Sequence, residues 1–324
     1  MSKLLIISKQ ADDQIFAQEV AKVAGLSLLR AKDVVEGTKI IAEDEISVVL
    51  ISLSTKEDYQ AFENAIQETV GLYSQKMIPN FIHFMSEVDL DGVDFLVQSP
   101  LFGHFVHSNY SGEPKLCGQH YGRIVKASLL EKAFGLSKLL DSKIRVQTIH
   151  LSSSAQKIDA IEAVKQFLVK AKFQNRTAAL IANSVDELLL NAIYDAPVDA
   201  MGKSLYSQLP RSSVLKLEEQ SRVEMEVGFD GTYVAISVVD HFGSLEKKKL
   251  LSHISKIYVK DDYKIKTAVA GAGIGLATVF QMGGSFFFVS EVGVKTQVTL
   301  FFKNAPNYRV FKQQFRFLST QFYF

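Results

Sequence analysis

The strongest constraint on the fold is a rhythm of short apolar runs. Leu4-Leu5-Ile6-Ile7, Val48-Val49-Leu50-Ile51 and Phe81-Ile82-His83-Phe84 are separated by helix-length stretches of periodic polarity. Nearly continuous apolar strands alternating with helices are the pattern of a parallel sheet with crossover connections. Between the second and third runs, Tyr59, Phe62, Ile66 and Val70 recur every three to four residues, which makes one apolar helical face within residues 57–73. The first third is therefore expected to be an α/β domain, residues 1–120. From Asp91 to Gln119 the pattern loosens, with Gly92, Pro100, Gly103, Gly112, Pro114 and Gly118 interrupting each run. A helix over 121–140 is expected next, in a connecting segment of residues 121–143.

The 324 residues are too many for one small module, and two domains are expected. With 47% hydrophobic residues and 22% charged, the chain can build ordinary cores. A formal net charge of +1 argues against nucleic acid or an anionic membrane as the main partner, since neither would be drawn without a clustered positive surplus. The single cysteine, Cys117, excludes an internal disulfide framework and a cysteine-based zinc site, which suits a reducing compartment. No apolar run approaches the ~18 residues of a membrane span. A cytoplasmic protein is expected.

The second half has a different order. It reads as a strand at 144–151, helices at 155–171 and 176–194, strands at 223–229 and 234–239, and a further pair at 286–290 and 297–302. Helices followed by mostly antiparallel strands suggest an α+β sandwich. Three segments in it carry chemistry. In Asp186-Glu187-Leu188-Leu189-Leu190-Asn191, the polar Glu187 and Asn191 lie four apart, on one helical face. A carboxylate there can accept a proton, and the amide oxygen beside it can ligate a hard cation such as Mg²⁺; an ordinary amphipathic edge has the same spacing. In Val239-Asp240-His241-Phe242-Gly243-Ser244, an acid ends an apolar strand and a glycine follows, which also describes a plain turn. In Gly271-Ala272-Gly273-Ile274-Gly275, glycines allow backbone amides close to phosphate oxygens at a helix start. The stretch from Gly271 to Glu291 also imitates a dinucleotide-binding turn, but its third glycine comes one residue early and the following helix is short.

Taken in order, the three segments resemble the ATP-binding domain shared by gyrase, heat-shock chaperone, histidine kinase and mismatch-repair proteins, the GHKL superfamily, over residues 144–303. The resemblance implies an α+β Bergerat fold that binds ATP and Mg²⁺. It implies Glu187 as general base or water-positioning group, Asn191 as the Mg²⁺ ligand and Asp240 as the carboxylate that reads adenine. Gly243 would belong to the same motif, Gly271, Gly273 and Gly275 would lie on the phosphate side, and Thr296 matches the family's threonine near adenine. Lys256, Lys260, Lys264 and Lys266, in the segment equivalent to the nucleotide lid, are candidates for the terminal phosphate, with Lys264 the preferred one. The family usually has glycine two and four positions after the aspartate, where this chain has Phe242 and Ser244.

No helical hairpin with an exposed histidine precedes this region, so its layout looks closer to the serine-kinase anti-sigma branch than to a sensor histidine kinase. That branch implies a regulatory protein partner that is phosphorylated or sequestered. The first domain loosely resembles a flavodoxin-like receiver with a parallel sheet. Its first strand ends in Ser8-Lys9-Gln10 and its third in Ser52-Leu53-Ser54, without the acceptor aspartate, so a degenerate receiver serving as a docking or dimerisation surface is expected; Asp12 and Asp13 read as an ordinary helix start. His104 and His107, three apart in a strand, point to opposite faces and make a poor metal pair. The tail, residues 304–324, mixes Arg309, Lys312 and Arg316 with seven aromatic rings, which favours packing on its own chain or on a second copy, as in a homodimer, over stacking on nucleic acid bases. Two functions stay open: a nucleotide-dependent protein kinase or ATPase, and a non-catalytic switch in which ATP only creates a partner-binding surface.

Overall fold

The computed structural model describes residues 2–70, 81–88, 94–97, 99, 101–130, 132–141, 144–251, 279–280 and 283–323. The chain divides into two compact units, Met1–Ala133 with Phe315–Thr320, and Phe134–Gln314 with Gln321–Phe324. Among the described residues no helix is long and apolar enough to cross a membrane.

The first unit alternates strand and helix: β1 (Lys3–Ile7), α1 (Ala11–Ala24), β2 (Ser27–Ala31), α2 (Val34–Glu43), β3 (Ile46–Ser52), α3 (Lys56–Val70), β4 (Ile82–Ser86), β5 (His104–His107) and α4 (Pro114–Ser128). The strands run parallel in the order β2-β1-β3-β4-β5. Leu4, Leu5, Ile6, Val49, Leu50 and Ile51 are all fully buried, so both faces of the sheet are covered, as the continuous apolar runs require. Helices approach closely where glycine leaves room. A Cβ at Gly37 of α2 would meet the Ile7 side chain at 2.3 Å, and one at Gly118 of α4 would meet the Phe16 carbonyl of α1 at 2.5 Å. Tyr59, Phe62 and Ile66 are the buried face of α3, at the expected spacing.

Three expectations for this half need correction. The helix expected over 121–140 starts earlier, with Pro114 in its first turn, and stops at Ser128; Gly135 then adopts a φ of 99° before a single 3₁₀ turn at Leu136–Lys138. It packs on α1 as part of the first unit and is not a connector. Asp13 is no ordinary helix-start acid: it is 2% exposed and accepts hydrogen bonds from Ser8 Oγ at 2.6 Å and Tyr110 OH at 2.7 Å. Burial and this carboxylate push the Tyr110 hydroxyl's pKa upward, so it stays protonated and donating. The stretch after Pro100 also holds β5, which runs parallel to β4.

In the second unit the order is β6 (Gln147–Leu151), α5 (Lys157–Lys170), α6 (Asn175–Leu190), a π turn (Asn191–Asp195), β7 (Val223–Phe229), β8 (Tyr233–Asp240), β9 (Ser285–Glu291), β10 (Lys295–Lys303) and α7 (Tyr308–Lys312). Its strands run in the order β9-β10-β8-β7-β6 with every neighbouring pair antiparallel. In β7, Val223, Met225 and Val227 are buried while Glu224 and Glu226 are half-buried, the alternation of a strand with one covered face. β8 is buried at all eight positions, and α6 packs on it. The final strand, β11 (Arg316–Tyr323), runs antiparallel to β5 through Phe317↔Val106 and Ser319↔His104. The region expected as a tail is thus a helix and a strand whose rings sit in the chain's own cores: Phe311 stacks on Phe302 at 5.7 Å, and Phe317 meets Tyr121 edge-on at 5.0 Å.

Candidate functional site

Asp240 is the last residue of β8 and lies opposite Thr296 of β10 in the antiparallel register. Its side chain folds back into the turn that follows, accepting the Phe242 backbone N–H at 3.0 Å. The turn needs a glycine at 243. Gly243 has a φ of +57°, and a Cβ there would lie 2.0 Å from the Glu291 carbonyl oxygen. Ser244 Oγ donates to the Ala196 carbonyl at 2.7 Å, and Ser290 Oγ donates to the Leu245 carbonyl at 3.3 Å. The turn is thereby tied both to the β9–β10 hairpin and to the end of the π turn. With the carboxyl 7% exposed, burial pushes the Asp240 pKa up to about 7, against the hydrogen bonds from Phe242, Gly243 and Thr296 that favour the ionised form. A buried carboxyl poised near neutrality, held from behind by backbone amides, can accept a hydrogen bond from a ligand amine once ionised.

Glu187 and Asn191 are both half-buried on one side of the α6 end. An α-helix turns about 100° per residue, so positions four apart drift about 40° around the axis. Continued to Asp195, that drift would double. The chain instead widens into the π turn, closed by the Ala196 N–H to the Asn191 carbonyl at 2.8 Å, and this brings Asp195 back toward the side of Glu187 and Asn191. Arg211, from the long connection to β7, then bonds both Asp195 oxygens, at 2.8 and 2.9 Å, through one nitrogen. Lys157 pairs with Asp186 on the other flank. Burial raises the Glu187 pKa first, Asp186 adds to it, and the charges of Arg211 and Lys157 oppose the rise. A raised carboxyl pKa among compensating cations suits a general base better than a solvated helix edge does.

The structure therefore brings Asp240, Gly243 and Thr296 together at one end of the antiparallel sheet, and packs the π turn that begins at Asn191 on β8. Gly271, Gly273, Gly275, Lys256, Lys260, Lys264 and Lys266 lie outside the described residues. Sequence reasoning missed Asp195 and Arg211, which no local motif marks, and Lys247, a half-buried lysine whose pKa burial lowers to about 8. It also missed an open groove of about 640 Å³ lined by His150, Glu219, Arg222, Glu224 and His241. There Glu224 Oε1 lies 3.5 Å from His241 Nε2 and 3.9 Å from His150 Nδ1.

His104 and His107 do point to opposite faces of β5; His104 stacks on His83 with ring centroids 3.9 Å apart. Among the described residues no group of three or more His, Cys, Asp or Glu is arranged to hold a metal ion. Compared with known proteins, the chain matches no family model and no curated relative.

Proposed function

We propose that the second unit is an ATP-binding domain of the GHKL kind, with a Bergerat-type fold, that serves a signalling protein acting on a regulatory protein partner as a protein kinase or ATPase. The observation that carries this reading is Asp240: a buried carboxylate at a strand end, opposite Thr296, braced by a turn that only glycine at 243 permits. Once ionised, a carboxylate held in this way can accept a hydrogen bond from an exocyclic amine. Glu187 supports the catalytic part, since a carboxyl of raised pKa can take a proton from water or a hydroxyl. Mg²⁺ usually keeps phosphate and water in its shell and takes only one or two protein oxygens, so the Asn191 amide fits as its protein ligand without a larger cluster.

The order β2-β1-β3-β4-β5 supports a flavodoxin- or receiver-like first unit. Ser52 ends β3 and Leu53-Ser54 follow it without an acceptor aspartate, so this unit acts as a docking or dimerisation surface in a cytoplasmic protein. Purified protein incubated with labelled ATP, with and without partner proteins, tests the whole reading when label on protein and free phosphate are read separately. Transfer or release supports the enzyme. ATP binding with neither leaves a nucleotide-gated binding module, and no ATP binding sinks the proposal.

A further inference from the structure

The charge cluster beside Glu187 contains one group that the nucleotide reading did not assign. Arg211 Nη2 bonds both oxygens of Asp195, and the guanidinium carbon lies 5.1 Å from the centroid of the Tyr194 ring. The chain around it is fixed as well: Tyr194 OH donates to the carbonyls of Arg211 at 3.1 Å and Ser213 at 2.6 Å. Its other terminal nitrogen, Nη1, is buried and has no hydrogen-bond partner among the described residues. Buried donors are nearly always satisfied, and a guanidinium is a planar fork matched to pairs of oxygens. An arginine positioned this firmly through Nη2 lacks, among the described residues, one acceptor for Nη1.

We propose that Arg211 is the oxyanion contact of this site, giving Nη1 to a phosphate oxygen of the bound nucleotide while Nη2 stays on Asp195. The proposal rests on the nucleotide reading above and deepens it by naming the residue that recognises the phosphates. Two features place the arginine in the site. The π turn returns Asp195 toward the side of Glu187 and Asn191, and Arg211 is one of the two cations whose charge opposes the raised pKa of Glu187. An anion bound there would also meet a compensating positive charge next to two carboxylates that would otherwise repel it.

Calorimetry on the full chain with ATP, adenosine and inorganic pyrophosphate tests this, using wild type, Arg211→Ala, Arg211→Lys and Asp195→Asn. We expect Arg211→Ala to weaken ATP and pyrophosphate at least tenfold and leave adenosine within twofold. Arg211→Lys, which keeps the charge and loses the fork, should recover only part of the loss, and Asp195→Asn should fall between. Equal ATP affinity in wild type and Arg211→Ala overturns the proposal. So does a parallel loss of ATP and adenosine with a lower melting temperature in both Arg211 variants, which would make the residue a structural clasp. If the wild type binds neither ATP nor adenosine, the nucleotide reading fails by itself. Pyrophosphate then decides Arg211 separately: binding that Arg211→Ala abolishes supports an oxyanion site, and no binding overturns it.

Discussion

The two units handle ionisable groups in opposite ways. The first, a parallel sheet covered on both faces, seals them in: His83, His104 and His120 are each at most 1% exposed, and Asp13 is closed between Ser8 and Tyr110. The second, an antiparallel sheet whose strands β8 and β9 are also buried on both faces, collects several of its charges beyond the strands, where a helix end, a strand end and a long connection meet. Glu187, Asp195 and Arg211 there remain part-exposed. Position in the fold underlies the difference. A doubly covered sheet leaves polar side chains on its strands no path to water, so they act as packing and hydrogen-bonding groups. Helix ends and loops beyond the strands can present such groups to a ligand.

The largest effect expected from this contrast is on turnover. If Glu187 is the general base proposed above, Glu187→Gln should lower phosphate release or transfer by roughly a hundredfold or more with ATP still bound. His120→Leu, in the sealed core of the other unit, should change turnover little while altering stability. A similar loss of turnover in both variants would erase the distinction between sealed and presented groups.

The next effect is a pH dependence of opposite sign in the two units. Burial, with Arg123 adding to it, lowers the His120 pKa to about 3. The unfolded chain, with histidine near 6.5, then binds the extra proton, so the first unit loses stability as pH falls from about 6.5, by about 1.4 kcal/mol per pH unit. Asp240 has the reverse sign. Its folded pKa of about 7 lies above the unfolded carboxyl value near 4, so its contribution is present at low pH and is lost as pH rises between them. Acidifying from pH 7 to pH 5 should weaken the first unit and firm the second. Hydrogen exchange resolved by segment reads both, and same-sign changes would refute the assignment. Asp240→Asn should accordingly raise the stability of the second unit at pH 8, on the order of a few kcal/mol, and this gain should shrink toward pH 5.

Ligand binding should show the cost of that poise. If the ionised carboxyl reads adenine, adenosine affinity should fall as pH drops below about 7, approaching tenfold per pH unit, and Asp240→Asn should abolish the trend along with most of the affinity. Affinity independent of pH in the wild type would remove Asp240 from the pocket. The smallest effect expected is at Asn191. If the amide is, as proposed, one protein ligand to an ion held mainly by phosphate and water, Asn191→Ala should leave metal-free nucleotide binding almost intact and remove the gain from added Mg²⁺. Calorimetry with and without Mg²⁺ checks it; a full metal gain in the variant makes Asn191 a packing residue.

Much of the element order was legible because burial leaves a local period in the sequence. The runs at Leu4, Val48 and Ile82 became the central parallel strands, and the strands expected at 223–229 and 234–239 formed within a residue of those bounds. β2, half-buried at the sheet edge, and β5, with histidine at both ends, carried too little apolar contrast to be read. The shared helical side of Glu187 and Asn191 was legible for the same local reason, as a helical spacing. What only the tertiary structure decided was every contact between distant residues. Thr296 meets Asp240 through the β8–β10 register, Glu291 and Gly243 touch across a turn, and Arg211 reaches Asp195 from a separate connection. Periodicity records which side of an element is buried, whereas register, a widened helical turn and loop closure fix which buried groups become partners. Those choices depend on the whole packed unit rather than on any window of neighbouring residues.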